Sequence, residues 1–491
     1  MDKFNLEAFA RVQDNIGVKS AEELRDILAK KSADSDGNGA RERLEGLFDA
    51  GTFSEIGAFV RRRNAEFDTD VSYEFESVIC GFGAVDGRLV YAFSQDASRI
   101  SGSVSEAHAR KICDLYKLAM QNGAPVVAFF ESAGAFIPEG VKALAGYGKI
   151  MSAVSAASGI IPQIAVACSS VAGAASVICG MFDLVVKCDG AELSVNPKFN
   201  TVSDKSSDEG ITAVRASDVA TAVASVKALL AYLPSNNTEG APADVSADNV
   251  NRIISADYRD SADVHSLIAS FVDDGKIVEL YADYGAEFVG GFASIGGSAV
   301  GIVANNKALN GAKLTSKGAR KASRLVSLFD SFNIPIVTLV DSVGFDNSAE
   351  SESSPFTAEI AKLAASYSAA SSPMVTVVTG EAYGSLFTVM GSKSVGADVV
   401  YALDSAKIAA MNASSAVAFL FNEEITADKS RDDLENQWNE YVANPVEAAA
   451  SGEIDDIISL SELRVRLGAA LAMLSAKSTV PSSRRHLIMP L

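Results

Sequence analysis

The sequence predicts an α/β protein built as a tandem of two homologous domains, related by an internal repeat of about 210 residues. Three observations carry that prediction. At a fixed offset Gly81-Phe82 matches Gly291-Phe292, Gly87 matches Gly297, Arg110-Lys111 matches Arg320-Lys321, Pro125 matches Pro335 and Ser132 matches Ser342. Pro162 and Pro373 continue the series at nearly the same offset. Within each copy, short apolar runs alternate with helical segments, the pattern of parallel sheet layers covered by helices. Finally, 491 residues with 48% hydrophobic content supply large cores and argue against disorder.

Taken in order, Met1 to Ala33 reads as a charged helix packed outside the tandem. Each copy then opens with two short strands, Ser77 to Phe93 and Glu287 to Ala304, followed by a helix begun near Ser105 or Ser316. A strand ending in a polar turn comes next, Pro125 to Ser132 in one copy and Pro335 to Ser342 in the other. After another helix, Ile164 to Ala175 and Val375 to Leu386 each read as a strand running into a Gly-rich turn. Ile150 to Phe182 carries no charge, but Pro162 and its many Ala, Ser and Gly residues make it strand, turn and helix in a soluble core rather than a membrane span. Between the copies, Ser203 to Ala262 holds one helical run, Ser217 to Leu233, with a break at Pro234. The expected domains are therefore 1–260 and 261–491. Leu434 to Ala476 reads as helical.

Composition removes several function classes. Lys and Arg number 42 against 62 Asp and Glu, a net charge of −20, and no basic cluster offers a nucleic-acid footprint. The five cysteines form no C-x-x-C pair, which disfavours structural zinc and a disulfide framework and fits a reduced, cytoplasmic setting. No signal-peptide pattern stands at Met1 to Ala10. His108, His265 and His486 lie far from the Gly-rich turns, and H-E-x-x-H, Cys/His and G-x-S-x-G arrangements are absent, as are phosphate-binding loops. No metal site is expected.

Four strand-to-helix turns remain: Glu131-Ser-Ala-Gly-Ala and Ser170-Val-Ala-Gly-Ala-Ala, then Asp341-Ser-Val-Gly-Phe and Ala382-Tyr-Gly-Ser-Leu. A helix opening at such a turn aims free N–H groups outward, and a pair of them can stabilise an oxyanion without any side chain. Gly173-Ala174 and Ser385-Leu386 are the candidate catalytic pairs, suited to a reaction with two anionic intermediates. An isolated Gly-Ala turn more commonly serves close packing. Recurrence in both copies, about 41 to 43 residues after Ser132 and Ser342, favours chemistry. Glu131 and Asp341 fit a turn or cap role as well as a chemical one. Thr388, Phe136 and Pro138 read as lining or structural residues. Lys317, Arg320 and Lys321 could grip a phosphate, though a solvated helix face is the commoner fate of such charges.

At these turns the sequence resembles the biotin-dependent acyl-CoA carboxyltransferase family: the β subunits of propionyl-CoA and acetyl-CoA carboxylases and the α subunits of methylmalonyl-CoA and glutaconyl-CoA decarboxylases. The matching pieces are Arg41 to Phe53, Phe93-Ser-Gln-Asp, Glu139-Gly-Val, Gly311 to Ala322, Asp341 to Phe345, Ala382-Tyr-Gly, Val389-Met-Gly-Ser-Lys, Gly396-Ala-Asp and His486 to Leu491. They span nearly the whole chain.

The resemblance implies two crotonase-like (ββα spiral) domains, the first binding acyl-CoA and the second biotin, with an active site between subunits of a homo-oligomer, usually a hexamer. It implies that Gly173 and Ala174 offer amides to the acyl-CoA carbonyl and that Ser385 and Leu386 offer amides to the biotin ureido oxygen, with Thr388 lining the acyl pocket. Ala133, Gly134, Ala135, Gly344, Phe345, Tyr383 and Gly384 complete the candidate substrate-binding set. The substrate would be a short coenzyme A thioester such as propionyl-/methylmalonyl-CoA or acetyl-/malonyl-CoA. Neither an A-M-K-M biotinylation signature nor an ATP-grasp-like domain is visible, so biotin would arrive on a separate carboxyl carrier protein. A biotin carboxylase or a membrane decarboxylase subunit would complete the system. The family usually has Gly-Gly at Gly173-Ala174 and Gly-Ala at Ser385-Leu386. Those departures leave open a catalytically silent paralogue that scaffolds an active complex, or a crotonase-like enzyme that works without biotin.

Overall fold

Apolar runs too continuous for one-sided sheets fold here into two mixed, eight-stranded sheets covered by helices. The computed structural model describes residues 22–23, 39–60, 75–196, 210–244, 246, 248–255, 258, 263–426, 428–477 and 488. The expected helix over Met1 to Ala33 and the segment His486 to Leu491 lie almost wholly outside these residues. The chain divides into two compact units, Met1–Lys227 and Ala228–Leu491.

In the first unit the order is α1 (Ala40–Leu47), β1 (Ser54–Ile56), β2 (Val78–Val85), β3 (Arg88–Gln95), α2 (Glu106–Asn122), β4 (Val126–Ser132), α3 (Val141–Ala157), β5 (Gln163–Ala172), α4 (Ala174–Gly180), β6 (Leu184–Cys188), β7 (Glu192–Ser194), β8 (Val214–Ala216) and α5 (Val219–Tyr232), the last crossing into the second unit. Strands β1 to β6 lie side by side in chain order, β8 completes the edge, and β7 pairs with the far end of β5. The β2–β3 hairpin turns through Asp86 (φ 50°) and Gly87 (φ 76°), the doubly left-handed turn that matches strand twist. Beyond it β3, β4, β5 and β6 are parallel. Ser105 caps α2 by accepting from the His108 N–H, as the sequence suggested. His108 itself is fully buried, and burial, with Lys111 close by, pushes its pKa down to about 3. It stays neutral against Ser77 Oγ at 3.0 Å, a packing residue.

The second unit runs α6 (Val264–Phe271), β9 (Ile277–Glu279), β10 (Phe288–Ile295), β11 (Ser298–Asn305), α7 (Ser316–Ser331), β12 (Ile336–Ser342), α8 (Ala349–Ser353), α9 (Phe356–Ala369), β13 (Met374–Tyr383), α10 (Ser385–Val389), β14 (Val399–Leu403), β15 (Lys407–Ala409), α11 (Ala413–Leu420), α12 (Arg431–Tyr441), α13 (Pro445–Ala450), β16 (Asp456–Ile458) and α14 (Leu463–Leu474). Its sheet order, β9-β10-β11-β12-β13-β14-β16 with β15 on the end of β13, repeats the first unit strand for strand. Thr315, 210 residues after Ser105, caps α7 by accepting from Gly318 N–H, one residue before the start expected at Ser316. Leu325 and Phe329 of α7 pack over Gly290 and Gly301, while α6 and α14 seal the other face through Val289, Val300, Ile302, Val337 and Val375.

Two expectations change. Ala243 bridges to Ser298 and Ala299 N–H donates to Pro242 O, so residues from the linker stretch are part of the second unit's fold and the division lies earlier than 260. The stretch Leu434 to Ala476, expected to be helical, also holds a strand among its three helices. Asn444 caps a new helix whose first residue is Pro445, and Gly452 (φ 82°) releases the chain into β16.

At the edge of the second unit, His265 Nδ1 lies 2.7 Å from Asp263 Oδ1 and Nε2 lies 3.0 Å from Glu279 Oε2. Burial works against its charge, but the hydrogen bonds to Asp263 and Glu279 outweigh it and raise the imidazole pKa above its ordinary value. A raised folded pKa contributes stability that is fully present below about pH 6.5 and fades as pH rises through the folded value. His265→Ala is therefore expected to lower the urea midpoint in mildly acid buffer and to lose much of that deficit in alkaline buffer. Equal deficits at both pH values would remove the charge from the account.

Candidate active site

The two sheets deliver their turns by the same local chemistry. Past a bulge, Ser132 pairs with Val171 and Ser342 with Ala382, so the turns that follow β4 and β5, or β12 and β13, stand side by side. Ser132 Oγ donates to Gly102 O at 2.8 Å and accepts from Gly134 N–H at 3.2 Å. Ser342 Oγ donates to Ala312 O at 2.5 Å and accepts from Gly344 N–H at 3.2 Å. Val104 N–H donates to Gly134 O, and Leu314 N–H donates to Gly344 O. Gly134 (φ 117°) and Gly344 (φ 134°) hold backbone angles open to glycine, and Ala133, Ala135 and Phe345 flank them.

Gly173 (φ 62°, ψ −134°) and Gly384 (φ 58°, ψ −144°) end β5 and β13. Each glycine N–H is already committed, to Ser194 O at 2.7 Å and to Ala409 O at 2.9 Å. The Gly173 amide expected to act on substrate is thus the last rung between β5 and β7. The next two amides, Ala174 and Ala175 in one unit and Ser385 and Leu386 in the other, open their helices, where no intrahelical acceptor exists. The available pairs are equivalent, one residue further along in the first unit than the sequence reading placed them.

In the second unit Gly384, Ser385 and Thr388 line a cavity of about 470 Å³ together with Phe387, Ile408 and Glu447. Leu386 points its side chain into the core, and Tyr383 is buried beside it. Tyr383 Oη donates to Glu381 Oε1 at 3.3 Å; burial, then the Glu381 charge, raises its pKa above the usual tyrosine range.

Two cations missed by the sequence reading tie down these strand ends. Arg43 of α1, buried, reaches Glu131 Oε2 at 2.5 Å, and Glu131 N–H donates to Gln95 Oε1. Lys307 Nζ sits 3.1 Å from Asp341 Oδ1 and 2.9 Å from Glu381 Oε2. Burial opposes its charge, but Glu381 and Asp341 outweigh it and raise the ammonium pKa. Glu131 and Asp341 are therefore strand-end anchors; Arg43 lay inside the quoted Arg41 to Phe53 motif, the one signal that could have found it. Nor do the lysines of α7 grip a phosphate together: Lys321 is buried, donating to Tyr281 O and Phe288 O, and Arg320 pairs with Glu359 at 2.9 Å. Lys317 lies over the Tyr284 ring.

The carboxyl transferase domain pattern matches residues 35–488. The chain belongs to that family. The resemblance seen in the sequence is thereby borne out. The chain is 35% identical over 480 residues to the carboxyltransferase subunit of propionyl-CoA carboxylase from Haloferax mediterranei, covering 92% of this chain and 93% of the relative. It is 35% identical to the methylmalonyl-CoA carboxyltransferase 12S subunit of Propionibacterium freudenreichii subsp. shermanii, covering 91% and 90%. With the methylmalonyl-CoA decarboxylase α subunit of Propionigenium modestum it shares 33% identity, covering 96% and 99%. A transcarboxylase 12S hexamer crystallised with methylmalonyl-CoA superposes with a TM-score of 0.89 at 32% identity, covering 96% of this chain and 100% of that one. The fold of this carboxyl transferase is accordingly the crotonase-like one expected.

Proposed function

We infer that the protein is the carboxyltransferase subunit of a biotin-dependent acyl-CoA carboxylase, transcarboxylase or decarboxylase, acting on a short thioester of the propionyl-/methylmalonyl-CoA kind. Family membership along almost the whole chain supports this, and so do relatives whose names specify those two thioesters. The observation that carries the chemistry is the pair of equivalent turns, each opening a helix with two amides that have no intrahelical acceptor.

Biotin, brought by a separate carrier protein, supplies or receives the carboxyl group when bound. The chain's own residues bind and position the two reacting groups. In the first unit the Ala174 and Ala175 N–H groups hold the thioester oxygen and stabilise the enolate that forms as the α-proton leaves, with Ala133, Gly134 and Ala135 lining that side. In the second, the Ser385 and Leu386 N–H groups hold the ureido oxygen. That donor set fits, because a ureido carbonyl needs neutral donors rather than a counter-charge, and the cavity beside Ser385 gives it room. Gly344, Phe345, Tyr383, Gly384 and Thr388 shape this side. A homo-hexamer, a biotin carboxyl carrier protein and a biotin carboxylase or membrane decarboxylase partner complete the proposal, in a cytoplasmic setting. Among the described residues no helix is long and apolar enough to cross a membrane.

The test is decarboxylation of malonyl-, methylmalonyl- and glutaconyl-CoA by the purified protein, with and without free biotin. Biotin-dependent loss of methylmalonyl-CoA is the expected result. Loss of no thioester by folded protein would sink the catalytic reading and leave the silent scaffold, while biotin-independent loss would point to a crotonase-like enzyme.

A further inference from the structure

The two units end their paired strands in the same turns but hold those ends by different means. In the first unit the hold on Glu131 comes from outside the sheet, from Arg43 on α1. The second unit supplies it from its own strands. Lys307, two residues past β11, reaches Asp341 of β12 at 3.1 Å and Glu381 of β13 at 2.9 Å. Asp341 Oδ1 also accepts from Glu381 N–H at 2.9 Å, and Asp341 N–H donates to Asn305 Oδ1 at 3.3 Å. Glu381 Oε1 in turn accepts from Tyr383 Oη at 3.3 Å, one residue before Gly384 opens the turn. The network therefore joins the ends of three strands and stops at the backbone that aims the Ser385 and Leu386 amides.

The internal repeat shows that the fold does not require this network. Matched strand for strand, Lys307, Glu381 and Tyr383 stand where the first unit has Ala97, Ser170 and Ala172, so the shared turn forms without any of those three side chains. Gly380 likewise stands where the first unit has Ser169. A Cβ at Gly380 would lie 2.3 Å from the Asp341 carboxyl, so the carboxylate leans over β13 into space that only glycine leaves open. Lys307, Asp341 and Glu381 are all partly buried, where charge-assisted hydrogen bonds are screened less than on an open surface. One ammonium holds two carboxylates together. Without it, like charges on β12 and β13 would push those strand ends apart.

We propose that Lys307 is a positioning residue for the second unit's turn: through Glu381 and Tyr383 it sets the Ser385 and Leu386 amides for the ureido oxygen without touching the ligand. The inference rests on the assignment of that turn to biotin. Because the network has no counterpart in the first unit, its loss affects one half of the reaction. Affinity for biotin falls while affinity for the thioester is kept, a split that general loosening of the fold would not produce.

The experiment compares Lys307→Met, which keeps the stem and removes the charge, with Lys307→Arg, which keeps the charge, in the full chain. One readout is amide hydrogen exchange by mass spectrometry without ligand; the other is KM for free biotin and for methylmalonyl-CoA. In Lys307→Met, exchange over Glu381 to Gly384 is expected to accelerate at least about tenfold, while the matched Ser170 to Gly173 segment keeps its rate. KM for biotin rises at least about tenfold and KM for the thioester stays within about twofold. Lys307→Arg restores both. Tyr383→Phe, which removes only the last hydrogen bond, moves the same readouts the same way by less, and decides the matter if Lys307→Met does not fold. Unchanged exchange over Glu381 to Gly384, equal acceleration in both units, or equal rises in the two KM values would overturn the proposal. Local acceleration in a protein whose native form shows no biotin-dependent turnover would instead overturn the biotin assignment and leave Lys307 as the residue that sets the turn.

Discussion

Ala174→Pro is expected to cut turnover about 100- to 1,000-fold while leaving the protein folded, the loss typical of removing one oxyanion donor. Ser385→Pro is expected to do the same from the other unit. Proline removes a backbone N–H, but these two positions tolerate its ring better than almost any others. Both are the first residue of a helix, where proline is favoured because no intrahelical bond is lost. The residue before a proline must avoid the α region, and Gly173 and Gly384 sit at the mirror image of an extended conformation, which glycine adopts freely. Steady-state kinetics beside circular dichroism and thermal melting decide it. Unchanged turnover in either folded variant would remove that amide from the chemistry, and Ala174→Gly, which keeps the N–H, should stay active.

Arg464→Ala is expected to destabilise the protein by about 3–5 kcal/mol, much of a typical domain's whole stability of ~5–15 kcal/mol. Arg464 is fully buried on α14. Its Nε donates to Asn249 O at 3.1 Å, Nη1 to Phe271 O at 2.5 Å and Nη2 to Asp273 Oδ1 at 2.6 Å. The same Asp273 carboxylate accepts the Gly296 and Gly297 N–H groups of the β10–β11 hairpin at 3.0 and 2.7 Å. Truncation leaves the buried Asp273 carboxylate without its cation and the Phe271 carbonyl, in a buried residue, short of a donor. Chemical denaturation measures the loss, and a deficit below about 1 kcal/mol would show the network to be dispensable. Burial works against the Asp273 charge, but the Gly297 and Arg464 hydrogen bonds outweigh it and lower the pKa. A lowered carboxylate pKa gives stability that is present above the unfolded value near 4 and lost as pH falls through the folded one. The Arg464→Ala deficit should therefore shrink in strong acid.

Arg464 also marks where the sequence stops being legible. In Leu463-Arg-Val-Arg-Leu-Gly it stands two residues from Arg466, which is half-buried and pairs with Asp456. Helical periodicity names a buried face but not which of two nearby arginines a distant carboxylate will claim. What was legible depended on local pattern: the paired strands, the parallel strand ends at Ser132 and Ser342 and the Gly-rich turns follow from residues close together in the chain. Lys307 escaped because its partners, Asp341 and Glu381, arrive from two other strands. The Gly173 amide was misjudged for the same reason: whether an N–H is free depends on Ser194, which a turn motif does not mention. The segmented C-terminus shows the converse, since Asn444-Pro445 and Gly452 were local breaks outweighed in the reading by overall helical content.

The committed N–H of Gly173, followed by two uncommitted ones, has a consequence for how this protein can vary. Its donors belong to the main chain, so no codon specifies them and nineteen of the twenty residues at 174 or 385 would still present one. A saturation library at either position should therefore separate into a single dead imino acid and a broad range of graded survivors, ordered by side-chain bulk at the mouth of the site rather than by chemical kind.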